Sequence, residues 1–262
     1  MAASTKNPGP KPFDRFARYA GIIGVVALWA VANRYKLVPS QVLPSPLLVC
    51  HTFIEMLRNG LLLSNLLLSV RRVLLGFGIG AVAGLLLGTL MGSSLVVNDY
   101  FGPTFLAVTQ IPIVGWIPLF MMVFGLGESL KLVVIALASL IPVVVNTRDG
   151  IANVPRNYLD IGDIYKFSRL TKFRRIAFPS ALPAIFTGLR YGMTHAWIAL
   201  VVVELFASTA GLGYLLVWGR QLFEIDLVIC MIVIIGVTGY AMDRTMATFE
   251  RRALRHHPGY HQ

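Results

Sequence analysis

Three ionisable side chains, Arg190, His195 and Glu204, fall inside one apolar block, Ala181 to Ala207, of a chain otherwise poor in them at such depth. Groups of this kind are costly in lipid and normally face a cavity or a partner. Arg190 lies near the end of its block, so it either lines a pathway or snorkels toward the headgroups. His195, beside Trp197, reads first as an interior histidine satisfied by its neighbours and second as a substrate ligand. Glu204 precedes Ser208 to Leu215, whose small residues permit a tight turn; it either holds that turn by hydrogen bonds or borders the pathway. Catalysis fits poorly, because His195 has no nucleophile at a matched position. The phosphate loop G-x-x-x-x-G-K-[ST] does not occur, so the chain cannot cradle ATP in the usual way. Cys50 and Cys230 show no C-x-x-C or metal spacing and read as inert thiols, with no metal site.

Two further patterns concern backbone rather than charge. Gln110, Pro112, Gly115, Trp116 and Pro118 crowd the middle of an apolar block. Prolines there remove backbone donors, and an interrupted helix is tolerated where other helices or a water-filled path satisfy the freed carbonyls. A transport pathway and a simple kink are both compatible with this. Gly76, Gly80, Gly84, Gly88 and Gly92 recur at every fourth position, leaving one side of a helix as bare backbone that a neighbour can approach closely. The ridge serves packing within one subunit or contact between two copies.

The elements that must position these residues are membrane helices. Of 262 residues, 56% are hydrophobic and 13% charged, which excludes a water-soluble domain of ordinary composition. The net charge of +11 comes without any groove-reading motif, so it does not indicate nucleic acid. The fold class is all-α and polytopic, a single domain over 1–262 with no linker and no clear internal repeat. Lys6, Lys11, Arg15 and Arg18 precede an apolar stretch ending in Ala30-Val31-Ala32, which imitates a signal peptide. Read on to Val38, with Arg34 and Lys36 snorkelling, it has the length of a crossing and is expected to be retained. Val73 to Gly92, Phe101 to Phe124, Leu130 to Val145, Ala181 to Ala207 and Leu227 to Met246 complete six crossings. An even number puts both termini on one side. The positive-inside bias makes it the cytoplasmic side, with tails at 1–18 and 247–262 and a basic loop at 154–179. Pro46 to Arg72 is expected to be an amphipathic segment on the outer surface.

The loop is the most polar long stretch of the chain. In Tyr158 to Pro183, apolar Ile161, Ile164, Phe167, Leu170, Phe173 and Ile176 are spaced by three, a step about 60° short of a helical turn, so they cannot share one face. The segment should bend, with Ser168 capping a second short helix and Pro179 closing the segment before the fifth crossing. Two short helices with charges outside and apolar residues underneath would make a cytoplasmic knob able to dock into another protein's groove. A helix lying solvated on the membrane surface is the alternative.

The stretch resembles the cytoplasmic loop of permease subunits of ATP-binding-cassette importers: Glu-Ala-Ala, three residues, Gly, nine residues, then Ile-x-Leu-Pro. Asp160 stands at the Glu, Ile161 and Gly162 at the alanines, Lys166 at the Gly, and Ile176, Phe178 and Pro179 at the Ile, Leu and Pro. "LPSP" from Leu43, "IPLFMMVFGLGESLKLVVIAL" from Ile117, "NTRDGI" from Asn146, "FPSALPAIFTGLRYGM" from Phe178 and "GLGYL" after Glu204 resemble the nitrate, sulfonate, taurine and bicarbonate branch over roughly Trp29 to Tyr260. "RQLFEIDLV" from Arg220 and the ending at Pro258 look most like the sulfonate permeases.

The resemblance implies a type I importer permease fold: two six-helix subunits, expected here to be two copies of one chain, around a central path. Two ATPase subunits lie below and carry the ATP and magnesium, so this chain needs no cofactor and is not itself an enzyme. A periplasmic or lipid-anchored substrate-binding protein sits above. Membrane lipid surrounds the assembly in a bacterial inner membrane. Asp160, Gly162, Tyr165, Lys166, Ser168, Ile176 and Pro179 would then form the ATPase-coupling loop. Gln110, Pro112, Trp116, Pro118, Arg190, His195 and Glu204 would border the path of a small oxyanion such as an aliphatic sulfonate, nitrate, taurine or bicarbonate. A secondary transporter would need coupled acidic residues at mid-membrane, and a non-transporting assembly protein would show no substrate-stimulated ATPase activity in the complex.

Overall fold

The computed structural model describes residues 12–37, 39 and 42–255, the side chains of residues 12–19 and 22 excepted. Lys6, Lys11, Val38, Pro258 and the side chains of Arg15 and Arg18 lie outside the described residues. The elements are helices: α1 (Pro12–Arg34), α2 (Pro46–Arg58), α3 (Leu61–Ser93), α4 (Leu95–Thr109), α5 (Ile113–Phe124), α6 (Glu128–Ala152), α7 (Arg156–Ile164), α8 (Arg169–Lys172), a wide π turn (Phe173–Ala177), α9 (Phe178–Ala207), α10 (Leu212–Gln221) and α11 (Ile225–Ala253). Helices α3, α6 and α11 and the continuous Arg169–Ala207 run are each long and apolar enough to cross a membrane. The pair α4 and α5 qualifies together, bent by 92°. Helix α1 contributes a shorter apolar stretch, Ile23–Arg34, and ends there, before the Val38 reached from composition.

The glycine ridge fixes the centre of the bundle. A Cβ on Gly76 would stand 2.6 Å from Ile135 Cγ2, on Gly84 2.9 Å from Val143 Cβ, on Gly88 2.7 Å from the Val144 carbonyl oxygen and on Gly92 2.8 Å from that of Arg148. Gly80 faces Ser139 and the Ala136 carbonyl more closely still. All five glycines therefore seat α3 on α6 of the same chain, which decides between the two uses of the ridge in favour of packing within the subunit. The other side of α6 is met by small residues of α9: Gly188 faces Asn146 and Gly192 faces Val143. Buried Val73, Ile135, Met193, Ala196, Trp197, Leu200 and Met231 fill one side of this three-helix slab. Ile117, Leu130, Val134, Ala199 and Val203 fill the other, where α5 packs. The many exposed leucines and valines, Leu67, Leu75 and Leu86 among them, are what a lipid-facing surface presents.

Several expectations are corrected. Pro46 to Arg72 is not one surface segment: α2 ends at Arg58, Gly60 turns the chain at φ 74°, and α3 starts at Leu61, eleven residues before Arg72. The polar Ser64, Asn65 and Ser69 gave the stretch its surface-like pattern, but Asn65 and Ser69 turn inward. The chain does not break at Pro179, since helical backbone runs through it from α8 into α9. Helix α11 continues past residue 247 to Ala253, so the expected tail begins as helix. Helix α10, between α9 and α11, is additional.

Candidate functional site

In the loop, α7 ends by a left-handed turn. Lys166 has φ 53°, the Phe167 amide donates to the Gly162 carbonyl at 2.8 Å and the Lys166 amide to that of Asp163 at 2.9 Å. This pair of bonds is the Schellman end, whose left-handed position favours glycine. Lys166 is the residue aligned with the glycine of the resembling pattern, so the chain keeps that backbone despite the change of side chain. A lysine there carries a left-handed cost of about 1 kcal/mol. Lys166→Gly is therefore expected to stabilise the end of α7 by about that amount, read as slower hydrogen exchange at the Lys166 and Phe167 amides; unchanged exchange would contradict it.

The bend arises as expected at Ser168, whose hydroxyl accepts from the Thr171 amide at 3.2 Å. Gly162 is buried, because a Cβ would come 2.8 Å from Lys172 Cγ and 3.0 Å from Ile176 Cδ1. Lys172 Nζ meets Asp163 at 2.7 Å, and Arg175 lies 6.0 Å above the Phe167 ring. Gly162, Ser168 and Ile176 thus build the knob, while Asp160, Tyr165 and Lys166 point outward. The expected burial of its apolar residues is corrected for three of six: Phe167, Phe173 and Ile176 are partly buried, while Ile161, Ile164 and Leu170 are exposed, Ile164 by 78%. Three-residue spacing on helices this short has too little neighbouring surface to cover them. A cavity of about 850 Å³ separates the knob from the α3–α4 corner, lined by Leu90, Ser94, Asp160 and Leu170 among others.

The path residues do not converge within one subunit. Gln110 and Pro112 lie exposed at the break between α4 and α5, and Pro118 is exposed within α5. Trp116 stacks on Phe120 with ring centres 6.0 Å apart. On α9, Arg190 makes a two-pronged ion pair with Asp243 of α11 at 2.7 and 2.8 Å, and Glu250 stands 3.9 Å away. Asp243 was missed because it sits inside an apolar block; Arg190, half a bundle away in sequence, is what neutralises it. His195 is exposed on the subunit surface, its Nδ1 2.9 Å from the Tyr191 carbonyl, which corrects its reading as an interior histidine. Ala196 and Trp197, its neighbours, take the buried positions of that turn.

Glu204 lies elsewhere, in a buried ion cluster. It is 1% exposed and accepts from Ser69 Oγ at 2.8 Å, the Gly213 amide at 2.9 Å and Arg72 Nη1 at 2.7 Å. Arg72 Nη1 also reaches the Ala210 carbonyl at 2.7 Å, and its Nε reaches Glu128 at 2.8 Å. Lys131 Nζ completes the set at 2.9 Å from Glu128. Two cations and two carboxylates join α3, α6, α9 and the turn into α10. The turn is built around the carboxylate: Gly211, at φ 118°, has no room for a Cβ beside Glu204, and its amide donates to Asn65 Oδ1. Glu204 thus holds the Ser208 to Leu215 turn, one of its two readings. Arg72 was missed because Ser64, Asn65 and Ser69 interrupt the apolar run from Leu61 and so hide a helix that begins early enough to carry Arg72 into its interior.

Residues 80–255 match the family model of the binding-protein-dependent transport system inner membrane component. A Bacillus subtilis (strain 168) protein named as an aliphatic sulfonates transport permease is 33% identical over 261 residues, 98% of this chain and 94% of that one. A nitrate import permease protein of Synechocystis sp. is 34% identical over 182 residues, 70% of this chain and 66% of that one. Among solved structures, an amino acid ABC transporter crystallised with histidines is similar in fold, at a TM-score of 0.63 and 20% identity, over 76% of this chain and 98% of that one.

Proposed function

This chain belongs to the family of binding-protein-dependent transport system inner membrane components, and from that premise we propose that it forms, as two copies, the path by which a small oxyanion is imported, with sulfonate and nitrate as the leading candidates. It is the multi-pass permease subunit of an ATP-binding-cassette importer of the plasma membrane, and its family implies an ATPase and a substrate-binding protein as partners. The relatives named for sulfonate and nitrate transport support the substrate class.

The observation that carries the coupling role is the knob. Its backbone keeps the glycine-type turn at Lys166, and it offers Ile161, Ile164, Tyr165 and Leu170 to solvent beside the charge of Asp160. An apolar patch exposed on the aqueous side of a membrane protein is a docking surface for a partner. On this reading the knob, both termini and the basic loop face the cytoplasm, and Asp160, Tyr165 and Lys166 contact the ATPase. Gly162, Ser168, Ile176 and Pro179 shape the knob. Closure of two ATPase subunits on ATP would draw the two knobs together and tip the bundles between inward and outward openings, a rigid-body change between two states.

The exposed break at Gln110–Pro112, Pro118 and His195 lie on subunit surface where a second copy can close a path. Trp116 packs on Phe120, while Arg190, held by Asp243, and Glu204, held by Arg72, tie helices together within the subunit.

Replacing Asp160 and Tyr165 together by alanine, in proteoliposomes with the ATPase and binding protein, tests the coupling. Uptake is expected to fall about tenfold or more, the scale of a typical coupling free energy, while basal ATP hydrolysis persists and loses its stimulation by loaded binding protein. Unaltered uptake in the double variant would overturn the assignment.

A further inference from the structure

The knob and α9 are joined by continuous helical backbone, and the join is irregular at one place. Lys172, Phe173, Ala177 and Phe178 all have helical dihedrals, with φ between −58° and −65°. The Phe173 amide bonds four residues back to Arg169, whereas the Phe178 amide bonds five back to Phe173. One turn, Phe173–Ala177, therefore holds one more residue than an α-helical turn would. Its cause lies one step on, at Pro179. Proline has no amide hydrogen for the Arg175 carbonyl four residues earlier, and its ring crowds that carbonyl in a regular helix. Widening the preceding turn relieves both. The Phe173 and Phe178 rings, 5.9 Å apart, close over the wide turn.

We infer that this π turn is the positioning joint of the coupling loop: by absorbing one residue, it sets the rotational phase of the knob relative to α9, and Pro179 holds it in that state. The inference rests on the coupling role proposed above. Each residue of an α-helix turns the chain by about 100°. If the wide turn closed to an ordinary one without loss of a residue, Asp160, Tyr165 and Leu170 would swing by about that angle about the α9 axis. The joint is thus where the knob's outward face is matched to its partner, and where a pull on the knob reaches α9 with least disturbance of the bundle. Wide turns of this kind occur at functional positions in helices.

Two variants in the assembled transporter separate length from identity. Pro179→Ala restores the donor and permits the turn to close with the knob out of phase. Pro179→Ala combined with deletion of Arg174 closes the turn and removes the extra residue, so the knob returns to phase. Spin labels at Leu90 on α3 and Leu170 on the knob, which both line the cavity between them, report the phase in a Cys50→Ser background. The single variant is expected to shift their distance distribution and to raise the ATP hydrolysed per substrate imported about tenfold. The double variant should return both toward the parent values, a rescue by shortening that no merely structural role of Pro179 would produce. A single variant with parental distances and coupling ratio overturns the inference. So does a double variant that retains the ATPase on purification but fails to recover. If the Asp160 and Tyr165 double variant transports normally, the coupling role itself has failed, which is a different result from failure of the joint.

Discussion

Arg72→Ala is expected to leave almost no folded permease in detergent. Arg72 is 4% exposed and neutralises Glu204, itself 1% exposed, while also engaging Glu128 and the Ala210 carbonyl. Removing one partner of a buried ion pair leaves an uncompensated charge and costs about 3–5 kcal/mol, a large part of the stability of a typical domain. Arg72→Lys should rescue little, because an ammonium cannot present one edge to Glu128 and another to Glu204 as the guanidinium does. Removing both charges, as Arg72→Met with Glu204→Gln, should recover most of the loss, since Glu128 keeps Lys131 at 2.9 Å and the neutral amide can still accept from Ser69 and the Gly213 amide. The measurement is the thermal midpoint of each variant by size-exclusion in detergent. A single Arg72→Ala variant as stable as the parent would mean that the cluster is not what joins α3 to the turn before α10.

This cluster also shows what the sequence could and could not reveal. Glu204 stood out because a lone acid near the end of an apolar block, followed by a glycine-rich turn, has few structural uses. Its cation was invisible because Arg71 and Arg72 read as a basic pair at a helix start. Only the three-dimensional course of α3 separates them, Arg71 outward and Arg72 inward. The same limit hid the pairing of Arg190 with Asp243, since partners on different helices leave no periodic trace. Local signals transferred well: the proline-induced break at Pro112, the Ser168 cap and the glycine ridge each depend on residues within one or two turns. The loop's bend was legible for the same reason. Its continuity with α9 was not, because a proline ordinarily marks a boundary and here is accommodated by widening one turn instead.

The second large effect is expected on the ridge. Gly80→Leu should disrupt the bundle as thoroughly as loss of Arg72, and even Gly80→Ala should be damaging. A Cβ at position 80 collides with the Ala136 carbonyl and Ser139 of α6, and backbone cannot rotate out of the way as a side-chain tip can. Overpacking of a tight core costs about 1–3 kcal/mol and sometimes more. Here the whole α3–α6 contact must open, so the upper end applies to alanine, and leucine exceeds it. Gly76→Ala meets mainly the Ile135 side chain and should be milder. Gly78 is the decisive control. It lies on the same helix two residues away, has nothing within 4 Å of its Cβ position, and its replacement by alanine should be neutral or stabilising by up to about 1 kcal/mol, the helix-propensity gain. The order of thermal midpoints should therefore run Gly78→Ala, Gly76→Ala, Gly80→Ala, Gly80→Leu, from most to least stable. The reverse order for positions 78 and 80 would require that the outward face of α3 is the one in close helix contact in the assembled protein, and the ridge would then have to be reassigned to the interface between copies.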